Sequence, residues 1–482
     1  MAKRKDDLTK IVCTIGPASE KKAVLESLIR SGMDIARLNF SHGSHDWHLE
    51  TIVNLRRCAY KLKKNLAILA DIQGPRIRVS DLEFKGKKFS ELELVRGERI
   101  LLKNKKIFKE LPGYLEKHIR LDSQVALIDK LKRGERVYLD NGMVELVAKH
   151  RRTEFGFEME VLNNGKIKTR KGINFPTLAK YIPSFTIKDR RDLIFNLKQG
   201  VDFIALSFVK GAKDITDLRH RMESVLGKKT GLPLIIAKIE TLTALGNLKE
   251  ILEVADGVMV ARGDMGVEAP PEKVPIYQKI IIRHCIKKGI PVIVATNMLE
   301  SMTDFPRPTR AELTDVANAV IDRADAVMLS GETASGKYPL RSVQMMSKIV
   351  RITEKSPFDD LNEIPELEKK RNRPADDFVE MASQSIYNVS INSAPKAIVM
   401  KNVPPSLIKA VSNLRPEMPI WCFLGNHNAW SRKLVLWRGV IPFFSEKSFK
   451  QQADKLDNFL LIEGKEENGK WKFTFKIKHK KI

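Results

Sequence analysis

Five charged side chains and one hydroxyl carry the chemistry that this sequence offers. Arg37, Asp71, Lys238, Glu240, Asp264 and Thr296 each stand at or just past the end of a short apolar run. Lys238 and Glu240 alternate along one run, so an extended backbone points both the same way. Glu240 and Asp264 follow successive runs. Two carboxylates so placed can share one hard divalent cation, with substrate oxygens and water filling its other positions. Lys238 then lies beside that cation, where its ammonium neutralises a phosphoryl group in flight. Arg37 adds a planar fork that matches phosphate oxygens. Two cations, a metal and few candidate bases suit phosphoryl transfer, which depends mainly on positioning and charge stabilisation. Taken singly, each element has a plainer reading: Lys-x-Glu as a pair on a barrel wall, Arg262-Gly263-Asp264 as a turn, Asp71 as a turn residue before Gly74-Pro75. Their recurrence at corresponding ends of consecutive runs selects the chemical reading.

Those ends need a common face. The strand candidates are Ile11–Ile15, Ile35–Asn39, Ala67–Asp71, Phe203–Phe208, Leu234–Lys238, Gly257–Ala261, Val292–Ala295 and Ala326–Leu329. They are rich in Val, Ile, Leu and Ala without strict alternation, as strands buried on both faces are. Amphipathic segments lie between them, among them Lys22–Arg30, His48–Lys63, Thr216–Leu226, Tyr277–Lys288 and Arg310–Ala324. Eight β-then-α units predict an α/β fold, a closed (β/α)8 TIM barrel whose βα loops gather function at one mouth. An open doubly wound sheet is the alternative; no early glycine-rich phosphate fingerprint follows the first run to support it.

The barrel is assigned to residues 1–75 and 181–353. Between them, residues 76–180 change texture. The alternating runs Glu135–Leu139 and Phe155–Val161 and the turn Asn163-Asn164-Gly165 predict a small β-rich lid domain, inserted between a barrel strand and its helix. A charged, proline-bearing linker runs from Glu354 to about Pro374. Residues 375–482 read as a C-terminal α/β domain with a basic tail. It has a helix around Phe378–Ile391, strands at Ala397–Met400 and Ile420–Phe423, and late β runs at Phe459–Ile462 and Trp471–Ile477, joined by a hairpin turn.

Composition narrows the class. The 482 residues suit two to four domains. No apolar run approaches the roughly 18 residues of a membrane span, and the basic N-terminus has no apolar segment behind it, so neither a span nor a secretory leader is expected. Four scattered cysteines show neither metal-ligand spacing nor disulfide density and suit a reducing cytoplasm. The net charge of +26 raises the question of nucleic acid. The basic residues are spread along the chain without an aromatic-interleaved basic motif, so solvated lysine faces and cationic phosphate pockets account for them, and nucleic acid is not an expected partner.

At the strand ends the chain resembles the pyruvate kinase family. Ile11–Ser19 and Ala36–Gly43 match the family's first two strand-and-turn segments, and Ala237–Glu240, Val260–Gly266, Ala295–Met302, Arg307–Asn318 and Met328–Thr333 match in order. The resemblance covers almost the whole barrel, and the inserted domain in outline. It implies transfer of phosphate from phosphoenolpyruvate to ADP, giving pyruvate and ATP in glycolysis, by a cytoplasmic homotetramer. Carried over by position, it implies Mg²⁺ or Mn²⁺ on Glu240 and Asp264. Lys238 would stabilise the phosphoryl group and the enolate, Arg37 would hold the phosphoryl group, and Thr296 would lie near the enolate carbon. The amides of Gly263 and Asp264 would face the substrate carboxylate. Asn39, Ser41, Asp71 and the carbonyl of Ile72 match a monovalent-cation site. Asn39, His42, Arg78 and Lys171 match nucleotide or phosphate contacts. Because Lys171 belongs to the insertion, the insertion is expected to close and exclude water.

Three departures limit the resemblance. Arg76 stands where the family often has an acidic residue, and a basic residue there goes with potassium independence, so K⁺ is expected to be dispensable. The segment Lys401–Ser406 lacks the glycine and hydroxyl run of a phosphate nest, so activation there by fructose bisphosphate is not expected. Asn297 stands where Gln is common. Two rival functions remain. A Mg²⁺-dependent barrel lyase or aldolase acting on phosphoenolpyruvate or pyruvate would share the carboxylate pair but need neither lid nor nucleotide site. A non-catalytic nucleic-acid-binding scaffold would not need the Arg37, Lys238, Glu240, Asp264 and Thr296 set.

Overall fold

A computed structural model describes residues 7–75, 77–85, 87–104, 117–122, 128–140, 142–152, 156–182, 184–227, 231–358, 377–425 and 428–479. Arg76 and most of the expected linker, residues 359–376, lie outside the described residues.

The eight apolar runs form one closed barrel, each strand parallel to both neighbours. The strands are Lys10–Ile15, Ile35–Asn39, Ala67–Asp71, Phe203–Leu206, Leu234–Ile239, Gly257–Ala261, Val292–Ala295 and Ala326–Leu329. Outward side chains such as Ile11, Ile68, Ile204 and Ile235 pack under the helices. Inward ones such as Val12, Leu69, Phe203, Ile236 and Met259 fill the barrel and continue into the C-terminal core. This double burial is why the strands show no alternation. The fourth strand stops at Leu206 rather than Phe208, because Phe208 adopts φ +55° and turns the chain. The second helix starts at His45 rather than His48, where Ser44 accepts the Trp47 amide at 3.3 Å. The fourth helix likewise starts at Ala212, four residues before Thr216. Apolar periodicity locates a helix's buried face and misses its polar first turn.

At the end of the barrel opposite the βα loops, one device recurs four times. Asp34, Asp202, Asp256 and Asp325 each immediately precede an even-numbered strand. Their carboxylates accept the amides of Ile11, Ile68, Ile235 and Val292 on the preceding odd strands, at 3.0, 2.9, 2.9 and 3.0 Å. Each aspartate amide returns the bond to the same residue's carbonyl. Four clasps thus fix the register of neighbouring strands. Arginines pair with three of them: Arg56 and Arg432 with Asp202, Arg219 with Asp256, Arg415 with Asp325. Arg415 and Arg432 come from the C-terminal domain, which docks on this floor.

Between the third and fourth barrel strands lies an eight-stranded sheet with a two-stranded partner. It has its own core, including Val79, Leu82, Leu102, Leu139 and Met159. The C-terminal sheet has five strands, four of them parallel; the fourth, Asn458–Glu467, forms a hairpin with the antiparallel edge strand Lys470–His479. That hairpin exceeds the two late β runs read from the sequence.

Candidate active site

Asp71, at the end of the third strand, is the hub of the barrel mouth. Its carboxylate accepts from Arg37 Nε at 2.8 Å and lies 3.2 Å from Lys238 Nζ. Arg37 Nη1 donates to the Thr14 hydroxyl at 2.8 Å. Lys238 Nζ donates to Ser207 Oγ at 2.8 Å and lies 2.8 Å from Glu240 Oε1. The other Glu240 oxygen accepts the Phe208 amide at 2.7 Å, which the left-handed turn at Phe208 aims inward. All three charged residues on these strand ends, Asp71, Lys238 and Glu240, are buried.

Their charges respond in opposite senses. Burial alone would raise the Asp71 carboxyl; Lys238 and Arg37 reverse this and hold it below its usual range. Burial would likewise lower Lys238, but Asp71 and Glu240 overturn that and drive the ammonium well above its ordinary value. Glu240 is raised by burial and by the Asp264 charge, against the pull of Lys238. Glu268 is raised to about 7, chiefly by burial, with Glu240 and Asp264 adding to it. Three carboxylates therefore repel one another where positive charge is short. Glu240 Oε1 is buried and, despite its contact with Lys238, receives no aligned hydrogen bond. A divalent cation fits this deficit. Among the described residues no group of three or more His, Cys, Asp or Glu could hold a metal. Two carboxylates suit a cation that keeps most of its positions for substrate oxygens and water.

The loop after the seventh strand is held in a costly shape. Thr296 and Asn297 have φ of +68° and +53°, and such a backbone costs roughly 1–3 kcal/mol at a non-glycine residue. Arg262 supports it. Its guanidinium donates to the Thr296 and Ala295 carbonyls at 2.5 and 3.2 Å and grips Asp315 at 2.6 and 2.7 Å. Thr296 Oγ accepts the Gly263 amide at 2.8 Å, so that amide, expected to face a substrate carboxylate, is bonded to the threonine here.

The remaining expected residues divide. Asn39 ends the second strand and His42 lies on the loop after it; Asn39 Oδ1 accepts the Ser41 amide at 3.1 Å and the His42 carbonyl meets His48 Nε2 at 2.9 Å. The Ile72 carbonyl accepts from Ser207 Oγ at 2.9 Å. Arg78 and Lys171 lie in the lid, bonded to the Arg170 carbonyl and to Asp140. The structure thus joins Arg37, Asp71, Lys238 and Glu240 directly and leaves Arg78 and Lys171 on the lid side. Sequence reasoning missed Thr14 and Glu268. Glu268 was legible as the residue four after Asp264, on the same face of a helix; nothing marked Thr14.

Fold and mouth together point to a barrel enzyme of the phosphotransferase class. A family model described as "Pyruvate kinase, barrel domain" matches residues 6–343. A pyruvate kinase of Geobacillus stearothermophilus is 42% identical over 434 residues, covering 90% of this chain and 70% of the relative. Pyruvate kinases of Staphylococcus saprophyticus and Sporosarcina psychrophila are 41% and 39% identical, over 91% and 97% of this chain and 72% and 75% of the relatives. The chain belongs to the pyruvate kinase family, whose members use a divalent metal. No described helix is long and apolar enough to cross a membrane.

Proposed function

We propose that the barrel mouth transfers the phosphoryl group of phosphoenolpyruvate to ADP, giving pyruvate and ATP, with Mg²⁺ or Mn²⁺ on Glu240 and Asp264. One observation carries the residue assignment: Lys238 is buried between Asp71, Glu240 and Ser207, and Asp71 also binds Arg37. A lysine whose ammonium is stabilised this strongly does not act as a base. It stabilises negative charge on the phosphoryl group and on the enolate oxygen. Arg37 offers its guanidinium fork to the same phosphoryl group. Thr296, fixed by the Arg262 brace, is assigned to the enolate carbon, and the Gly263 and Asp264 amides to the substrate carboxylate. Asn39, His42, Arg78 and Lys171 are assigned to the nucleotide, with the lid closing over it. The metal, when bound, supplies charge neutralisation at substrate oxygens.

Potassium is proposed to be dispensable. The basic Arg76, which stands where the family often has an acidic residue, supports that reading. A potassium titration at fixed ionic strength decides it, and strong activation would overturn it. A cytoplasmic homotetramer is the proposed assembly, and sedimentation velocity checks its size. For the reaction itself, a lactate-dehydrogenase-coupled assay with phosphoenolpyruvate, ADP and Mg²⁺ should show ADP-dependent pyruvate formation, most of which Lys238→Met removes. Pyruvate formation that needs no ADP would favour a lyase instead.

A further inference from the structure

The lid joins the barrel at two crossings, outward after Gly74-Pro75 and back ahead of the helix Ile187–Lys198. Both crossings end on one side chain. Asp189, fully buried, accepts the Gly74 amide through Oδ1 at 3.0 Å. Through Oδ2 it accepts the Thr186 amide at 2.8 Å and the Thr186 hydroxyl at 2.6 Å. Gly74 has φ +67°, and a Cβ there would come within 2.9 Å of the Ser207 side chain. The outward crossing is thus seated against the serine that receives Lys238.

The same turn of the helix also reaches the loop after the second barrel strand. Lys188 Nζ donates to the Phe40 carbonyl at 2.5 Å and pairs with Asp192 at 2.6 Å. Asp192, also buried, meets His45 Nε2 at 2.8 Å. His45 stacks on Phe195 of the helix, with ring centroids 4.4 Å apart.

We propose that the turn from Thr186 to Asp192 is a hinge clamp that sets the pose of the lid against the Asn39–His42 loop. Asp189 holds the lid crossings, while Lys188 and Asp192 hold the loop. The residues assigned to the nucleotide lie on both sides of this clamp, Arg78 and Lys171 on the lid, Asn39 and His42 on the loop. Those assigned to phosphoenolpyruvate and the metal lie on barrel strands and on the loops and the short helix Arg262–Glu268 that follow them. Asp189 and Asp192 are therefore positioning residues for the nucleotide. The choice of ligand rests on the phosphotransfer reading; the clamp rests on geometry.

A carboxylate accepts at both oxygens, whereas the amide of an asparagine turns an NH₂ group toward one set of donors. Asp189→Asn should therefore release one crossing. Without ligands, amide hydrogen exchange at Gly74 or Thr186 should quicken roughly tenfold relative to the barrel strands. In steady-state kinetics KM for ADP should rise roughly tenfold, while KM for phosphoenolpyruvate stays within about twofold. Thr186→Val removes the hydroxyl's bond to Asp189 Oδ2 and its acceptance of the Asp189 amide at the start of the helix, but leaves both carboxylate oxygens in place; it should act in the same direction to a smaller extent, and it carries the test alone if Asp189→Asn does not fold. Unchanged exchange at both amides, or an equal rise in both KM values, would overturn the clamp. A wild-type chain that makes no ATP from these substrates would sink the phosphotransfer reading instead, and the exchange result would still judge the clamp.

Discussion

At the floor of the barrel, Asp325 receives a strand amide, the Arg438 amide and two bonds from Arg415. At the mouth, Glu240 receives the Phe208 amide, has one oxygen without an aligned donor, and has Asp264 close enough to raise it. Both carboxylates are almost wholly buried. Depth therefore does not distinguish a structural acid from a functional one. What differs is whether the protein completes the hydrogen-bonding and charge requirement of the group or leaves part of it for a ligand. A buried charge left incomplete is costly; the mouth carries that cost where a metal and an anionic substrate can relieve it.

The floor should break first in stability. Asp325→Asn leaves Arg415 buried without its ion pair and is expected to destabilise the fold by about 3–5 kcal/mol in chemical denaturation. KM values of the protein that remains folded should stay near wild type. A loss below about 1 kcal/mol would show that the Asp325–Arg415 pair does not hold the floor. Next comes the mouth, read in rate. Lys238→Met should lower kcat by about 10²–10³-fold, the scale for removing one preorganised charge-stabilising donor. A mutant with half the wild-type kcat would remove Lys238 from the chemistry. Asp264→Asn should lower kcat by about 10²-fold while leaving metal-free stability unchanged or slightly raised, because it relieves Glu240 and Glu268. It should also abolish the rise in Tm that Mn²⁺ gives the wild type. A metal-dependent rise that survives in Asp264→Asn would place the cation elsewhere.

Much of this contrast is legible in the sequence, but unevenly. Buried parallel strands write themselves as Val-, Ile- and Ala-rich runs, so five of the eight barrel strands have the bounds read from the sequence. Lys238 and Glu240 follow from alternation. The aspartate clasps are also written there, as Asp34, Asp202, Asp256 and Asp325 each directly precede an even strand. No sequence rule, however, says which strand amide an aspartate will meet. Asp189 and Thr14 are harder still. Asp189 reads as an ordinary acidic residue in a first helical turn, and only folding brings Gly74, more than a hundred residues earlier, to its carboxylate. Long-range hydrogen-bond partners leave no period in a sequence; local ones do.

His48 gives the smallest effect and tests the contrast from within the mouth. It lies beside the Asn39–His42 segment, yet it is as buried as a floor residue is. Its ring stacks on Phe40 at 3.9 Å, and Nε2 meets the His42 carbonyl at 2.9 Å. A nitrogen facing a carbonyl must carry the proton, so the ring is the Nε2–H tautomer, and Nδ1 is buried without a partner. Protonating Nδ1 would bury a donor with no acceptor, and burial accordingly lowers the pKa from 6.5 to about 4. Between those values the unfolded chain binds the proton and the folded chain does not, so stability falls as pH drops through this window. The expected loss from this residue between about pH 7 and pH 5 is on the order of 1–2 kcal/mol. His48→Gln keeps an N–H for the His42 carbonyl and does not titrate. Urea unfolding at both pH values should show the wild type losing that much more than the variant. Equal losses would mean that His48 takes up its proton in place, and that the loop around it is open to water as the floor is not.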